Sequence, residues 1–164
     1  AAVVLALGAL DALVADLIAG AVPAAAKKGR IGDRVEGWVK EKPADFVRLL
    51  SDPDPHLALA NLVRERMANL TLQRAAAIEE TLYAVLKLET PWGAAAKRIG
   101  AGTTGADVKD RLDAFVARRN LIAHSGDVQP GKAALAGITR EWVMSGVRNV
   151  SEIGEAACDA VAKE

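Results

Sequence analysis

Arg118, Arg119, Asn120 and His124 stand within seven residues of one another in the stretch 113–126, DAFVARRNLIAHSG. Two guanidiniums, an amide and an imidazole at the end of an apolar-striped segment make the one cluster whose residue types suit acid–base work on an anion. Arg119 offers a fixed fork of donors that fits a phosphate, and His124 titrates near neutral pH and can move a proton. RNA carries its own nucleophile, the 2′-hydroxyl. Strand cleavage by attack on the adjacent phosphate therefore needs only proton transfer and charge stabilisation, with no serine, thiolate or metal. Two histidines and one cysteine cannot build a usual zinc site, and no Gly-rich phosphate loop or DxD-type metal pattern occurs. Neither a metal nor a cofactor is expected.

Spacing limits how this cluster can converge. In an ideal helix, residues four apart differ by ~40° about the axis and residues five apart by ~140°. Asn120 and His124 thus share a face. Arg119 and His124 meet only if the helix ends or bends there, or if a second subunit completes the site across a two-fold axis. HSGD reads as that end, since Ser125, Gly126 and Asp127 are turn formers. Ser125 and Asp127 would shape the loop or touch substrate. A plainer reading stands beside this one: Arg and His near a helix C-terminus satisfy free carbonyls and the negative end of the dipole, and Asn favours helix ends.

The elements that must hold this corner read as helices. Apolar residues make up 51% of the 164, mostly Ala, Leu and Val, with 4% aromatic. They recur at three- and four-residue steps, which predicts an all-α protein. Val3, Leu7, Leu10, Val14, Leu17 and Ile18 outline a first helix of about five turns that Gly20 and Pro23 should end. Short helices are expected over 33–40 and from 43 through 50. SDPDP breaks the chain and supplies Asp54 as N-cap and Pro55 in the first turn of a helix over 55–70. A further helix is expected over 72–88, and Thr90 and Pro91 head the short PWGAAAKRI helix. Thr104 with Asp107 resembles a capping box at the head of the helix that carries Val108, Leu112, Phe115, Val116 and Ile122 inward. After the turn SGDVQPG, Thr139 caps a last helix striped by Val143, Val147, Val150, Ile153, Ala157 and Val161. The expected architecture is one domain over 1–164, a helical bundle of four main helices with additional short helices.

Lys plus Arg equals Asp plus Glu, 21 each, so no bulk positive field draws nucleic acid and any such contact must be local. The single cysteine, Cys158, excludes an internal disulfide, fits a reducing, cytoplasmic setting and reads as a small buried hydrophobe. Asp11 and Asp16 interrupt the apolar N-terminal run, which argues for a buried helix and against a membrane span or signal segment. The chain begins with Ala rather than Met, as a piece of a longer protein would.

RRNLIAH resembles the R-x4-H signature of HEPN domains, in the form in which Asn follows the Arg. It sits where that family carries it, late in a helical domain before a loop and a final long helix. The stretches ALGALDALVADLI, LQRAAAIEETL followed by PW, and ITREWVMSGVRNV are similar to the RiboL-PSP branch, so the likeness covers most of the chain, with RRNLIAH its sharp part. The resemblance implies a helical bundle that dimerises and acts as a metal-independent endoribonuclease, often a toxin or a phage-defence effector, with an antitoxin protein as a candidate partner. By position it implies Arg119 and His124 as catalytic and Asn120 as orienting or phosphate-contacting. Arg118 and Ser125 adjoin the signature as candidate substrate-binding residues.

Fold alone does not determine function, and two rivals remain. One is a non-catalytic helical dimerisation or interaction module in which the cluster is a capped helix end. The other is a small-molecule enzyme. Guanidiniums held open favour the nuclease, whereas Arg119 locked into a buried salt bridge favours the module. Elsewhere, His56 reads as a first-turn surface residue. Glu79 and Glu80 could lend His124 a carboxylate, although paired acids usually form a solvated face. Trp38, Trp92 and Trp142 read as core or interface anchors rather than a base-stacking platform.

Overall fold

The three- and four-residue apolar rhythm becomes eight α-helices in the computed structural model, which describes residues 2–125 and 138–162. They are α1 (Ala2–Lys27), α2 (Asp33–Glu41), α3 (Pro43–Ser51), α4 (Pro55–Met67), α5 (Ala75–Leu86), α6 (Trp92–Ile99), α7 (Gly105–Ser125) and α8 (Arg140–Ala162). No strand occurs among the described residues, and the protein is all-α.

Helix α1 is the axis of the core. Val3, Leu7, Leu10, Val14, Ile18, Val22 and Ala25 form one buried stripe along it, packed chiefly against α4 and α8. By length and composition alone α1 could cross a membrane. The predicted stop at Gly20 and Pro23 is not observed, and the helix runs on to Lys27. Pro23 removes the N–H that would reach the Ala19 carbonyl, and burial of Val22 before it and Ala25 beyond it outweighs that loss. The real stop is Gly29, at φ +67°. There the Arg30 N–H reaches the Ala25 carbonyl at 2.9 Å and the Gly29 N–H reaches that of Ala26 at 3.0 Å, the paired bonds of a Schellman ending.

Gly32 follows at once and brings two backbones into contact. Its N–H donates to the Val85 carbonyl at 2.9 Å, and a Cβ on it would lie 2.0 Å from the Ala84 carbonyl oxygen. Gly32→Ala is therefore expected to push α2 away from α5 at a cost of about 2 kcal/mol. A thermal melt should show Tm lowered by about 4–8 °C.

The helices expected over 55–70 and 72–88 are both shorter. Asp54 caps α4 as expected, accepting from the His56 and Leu57 N–H groups at 3.1 Å each. Between α4 and α5, however, acids from other helices take the backbone donors. The Leu72 N–H donates to Asp11 Oδ1 of α1 at 2.7 Å, and the Ala75 N–H to Asp113 Oδ1 of α7 at 3.1 Å. With those donors satisfied across the fold, α5 starts at Ala75. At α6 the expected first-turn proline is itself the N-cap, which leaves Thr90 one residue too early, and no side chain caps this helix.

The capping box at the head of α7 forms as read. Thr104 Oγ1 accepts from the Asp107 N–H at 3.2 Å, and Asp107 Oδ2 accepts from the Thr104 N–H and hydroxyl at 2.7 Å each. These bonds hold the Asp107 carboxyl below its ordinary value. Nearby, Glu79 accepts from Lys109 Nζ at 2.6 Å and from Trp92 Nε1 at 3.2 Å. The Lys109 bond is the largest influence on Glu79 and holds its carboxyl low against the opposing effect of burial.

Both acids bind protons less readily in the folded chain than in the unfolded one, so stability rises with pH through their titration and is lost as pH falls. Glu79→Gln and Asp107→Asn should each flatten the acid limb of a Tm-against-pH profile, below about pH 5.

Thr139 caps α8, accepting from the Trp142 N–H at 3.1 Å. Val150, Ile153 and Ala157 are buried, with Val143, Val147 and Val161 packed at the margin. Cys158, expected to be buried, is half-buried. A Cβ on Gly146 would fall 2.1 Å from the Phe115 ring, so this glycine is what admits Phe115 against α8. There Phe115 meets Trp142, ring centroids 5.0 Å apart and planes 41° apart. The first turn of α8 thus lies level with the middle of α7. Val108, Leu112, Phe115 and Val116 are buried, but Ile122 is half-buried, not inward as expected, because it lies past the part of α7 that α8 covers.

Candidate active site

Arg118, Arg119 and Asn120 are half-buried residues near the end of α7. The helix runs unbroken through Ser125, the first of the turn formers expected to end it, so no bend intervenes between Arg119 and His124. Positions 119 and 124 therefore stay ~140° apart about the axis and ~7.5 Å apart along it, while 120 and 124 share a face. The expected convergence of Arg119 and His124 at the mouth of the loop involves the His124 side chain, which lies outside the described residues. The side chains of His124 and Ser125, together with Gly126 and Asp127, lie outside the described residues.

Arg119 is held from two other parts of the fold. Its Nη2 donates to Gln73 Oε1, in the connection that leads into α5. Gln73 Nε2 donates in turn to Asp11 Oδ2 of α1 at 3.1 Å, while Asp11 Oδ1 takes the Leu72 N–H. A relay thus runs from the core helix to the guanidinium. Among the described residues the group bonded to Arg119 is a neutral amide, which orients the cation without cancelling its charge. Arg119 Nε is buried and has no hydrogen-bond partner among the described residues. A donor so placed costs free energy unless an acceptor reaches it, and an anion is the strongest acceptor a guanidinium can meet.

No family model matches the chain, and no match is found among curated proteins or solved structures.

Asp11 and Gln73 were missed by reading the sequence for this site. A signal for Asp11 was present, because a lone acid among apolar residues of a core helix needs a partner. Gln73 carried none. The other candidates are placed elsewhere. Glu79 is committed to Lys109 and Trp92, and Lys109 lies 15 residues, roughly 22 Å, from His124 along α7. Glu80 pairs with Arg34. His56 sits in the capped first turn of α4. Trp92 is buried and Trp38 packs at the core margin.

Chemically, the end of α7 offers an oriented cation at 119 and, across one face, an amide at 120 in register with an imidazole at 124. A guanidinium and an amide are donors suited to an anion.

Proposed function

We propose that the protein is a metal-independent endoribonuclease of HEPN type, acting as a cytoplasmic homodimer whose helices pack as a bundle of four main helices with shorter ones around them. The observation that carries this reading is Arg119, oriented by the Gln73–Asp11 relay through a neutral amide, with a buried Nε that has no partner among the described residues. In the reaction, the 2′-oxygen forms a bond to the adjacent phosphorus and the bond from phosphorus to the 5′-oxygen breaks. A 2′,3′-cyclic phosphate and a 5′-hydroxyl are left. Arg119 steadies the phosphate as charge builds, and His124 serves in proton transfer between the two oxygens. Asn120 orients or contacts the phosphate, with Arg118 and Ser125 as substrate contacts. Because 119 and 124 diverge on one helix, each site combines Arg119 of one protomer with His124 of its partner across a two-fold axis. A chain of zero net charge has modest general affinity for RNA, so selectivity comes from cleft shape or a partner. The biological role is that of a toxin or phage-defence effector restrained by an antitoxin protein.

The second reading is a non-catalytic interaction module. It draws on α3, which has no buried residue and leaves Phe46, Val47 and Leu50 at least half exposed. Cleavage of a mixed RNA substrate in EDTA, comparing the wild type with His124→Ala and Arg119→Ala, separates the two. Wild-type cleavage lost in both variants, with the fold intact, supports the nuclease. No cleavage, or cleavage indifferent to both changes, supports the module.

A further inference from the structure

Between α7 and α8 lies a cavity of about 230 Å³ that the reaction outlined above does not use. Its walls combine three chemistries. Phe115 and Trp142 supply aromatic surface at their tilted contact. Asn149, a residue only 6% exposed, lines it from α8, and Asn149 Oδ1 has no hydrogen-bond partner among the described residues. Arg111 and Ser145, both exposed, put a cation and a hydroxyl at its rim.

An amide oxygen buried without a partner among the described residues is costly to keep, and a ligand with an N–H or O–H donor removes that cost. A bare anion has no such donor. An aliphatic ligand would use the ring faces but leave the amide unmet. A planar heteroaromatic ring fits all three parts. It packs on an indole face, and its edge carries donor and acceptor side by side, the pattern an Asn amide pairs with. A phosphate attached to it would reach Arg111.

The place of the cavity supports the same ligand. Positions 111, 114, 115 and 118 form one stripe on α7, at steps of three and four. That stripe leads from the cavity to Arg118, roughly 10 Å further on and next to Arg119. A single strand laid along α7 with its scissile phosphate at Arg119 would carry a neighbouring nucleotide to Arg111.

We propose that this cavity is a nucleobase subsite, in which Asn149 reads the edge of one RNA base, Trp142 packs on its face and Arg111 holds the attached phosphate. The proposal rests on the ribonuclease reading for its biological meaning, but its test does not depend on cleavage.

The full chain is titrated with the four nucleoside 5′-monophosphates, with the free nucleosides and with inorganic phosphate, by calorimetry and by tryptophan fluorescence. At least one monophosphate should bind once per chain and quench fluorescence, and Trp142→Phe should remove the quench. Asn149→Ala should weaken the preferred base about tenfold and narrow the spread among the four. Arg111→Gln, on an exposed side chain that cannot unfold the core, should weaken monophosphates severalfold and leave nucleosides unchanged. Should Asn149→Ala fail to fold, Asn149→Ser and Arg111→Gln carry the test.

No heat from any monophosphate at millimolar concentration overturns the subsite. So does inorganic phosphate binding as well as the nucleotides, or binding indifferent to changes at Asn149, Trp142 and Arg111. Nucleotide binding without RNA cleavage leaves the subsite standing and removes the ribonuclease reading. Cleavage without nucleotide binding removes the subsite alone.

Discussion

His124→Ala and Arg119→Ala should each lower kcat/KM for RNA cleavage in EDTA by about a hundred- to ten-thousandfold, the range for losing a proton carrier or a preorganised charge at the reacting phosphate. Single-turnover rates on a labelled RNA give the number directly, and far-UV circular dichroism checks the fold. Arg119→Lys should not restore activity. An ammonium has no planar fork to hold Gln73 with one nitrogen and a phosphate with the others.

The unbroken course of α7 through Ser125 adds a sharper expectation. If Arg119 and His124 act from different protomers, mixing the two inactive variants rebuilds one intact site in each mixed dimer. Random exchange then returns roughly a quarter of wild-type activity. A mixture as inactive as its components would show that both residues serve the same protomer's site, and would sink the composite arrangement.

The second large effect is expected at Asp11, which lies far from the R-x4-H stretch in sequence. Its carboxylate accepts the Leu72 N–H at 2.7 Å and Gln73 Nε2 at 3.1 Å, and hydrogen bonds to a charged acceptor are each worth about 1.5–3 kcal/mol. Asp11→Ala removes both and leaves a backbone donor unmet. It should cost about 3 kcal/mol, which for a chain of this size lowers Tm by about 6–12 °C. Activity should fall with it, because the amide that orients Arg119 loses its own anchor.

Two changes at Gln73 separate these roles. Gln73→Leu keeps the Asp11–Leu72 bond and loses the one from Gln73, so stability should fall by about 2 kcal/mol while kcat falls about ten- to a hundredfold. Gln73→Glu puts a carboxylate against the guanidinium and should raise KM as well, since the cation is then neutralised before substrate arrives. A melt and a Michaelis–Menten series on the same three proteins settle the matter. Activity unchanged in both Gln73 variants would show that the relay serves stability alone.

The features legible in the sequence were those decided within a few residues. The apolar steps of α1, α7 and α8 specify an all-α chain, because a helix needs only a local rhythm to declare which face it will bury. Asp54, the Thr104–Asp107 pair and Thr139 announced their helix starts for a similar reason. Each cap is a side chain bonding a backbone donor two or three residues ahead, and no distant partner is involved. The candidate residues Arg118, Arg119, Asn120 and His124 were equally plain as a string of types.

What the string could not contain was which neighbours each face would meet. Pro23 marked a helix end by its own chemistry, yet packing of Val22 and Ala25 carried α1 past it. A start for α5 at residue 72 satisfied the local pattern, but Asp11 and Asp113 took the N–H groups of Leu72 and Ala75 from 61 and 38 residues away. The partner that orients Arg119 is Gln73, 46 residues distant. Hydrogen bonds across such separations depend on how helices are laid against one another, and periodicity fixes the face a residue occupies without fixing what lies opposite it. The residue types at the site were therefore written in the chain, while the orientation of its cation was decided by the tertiary structure alone.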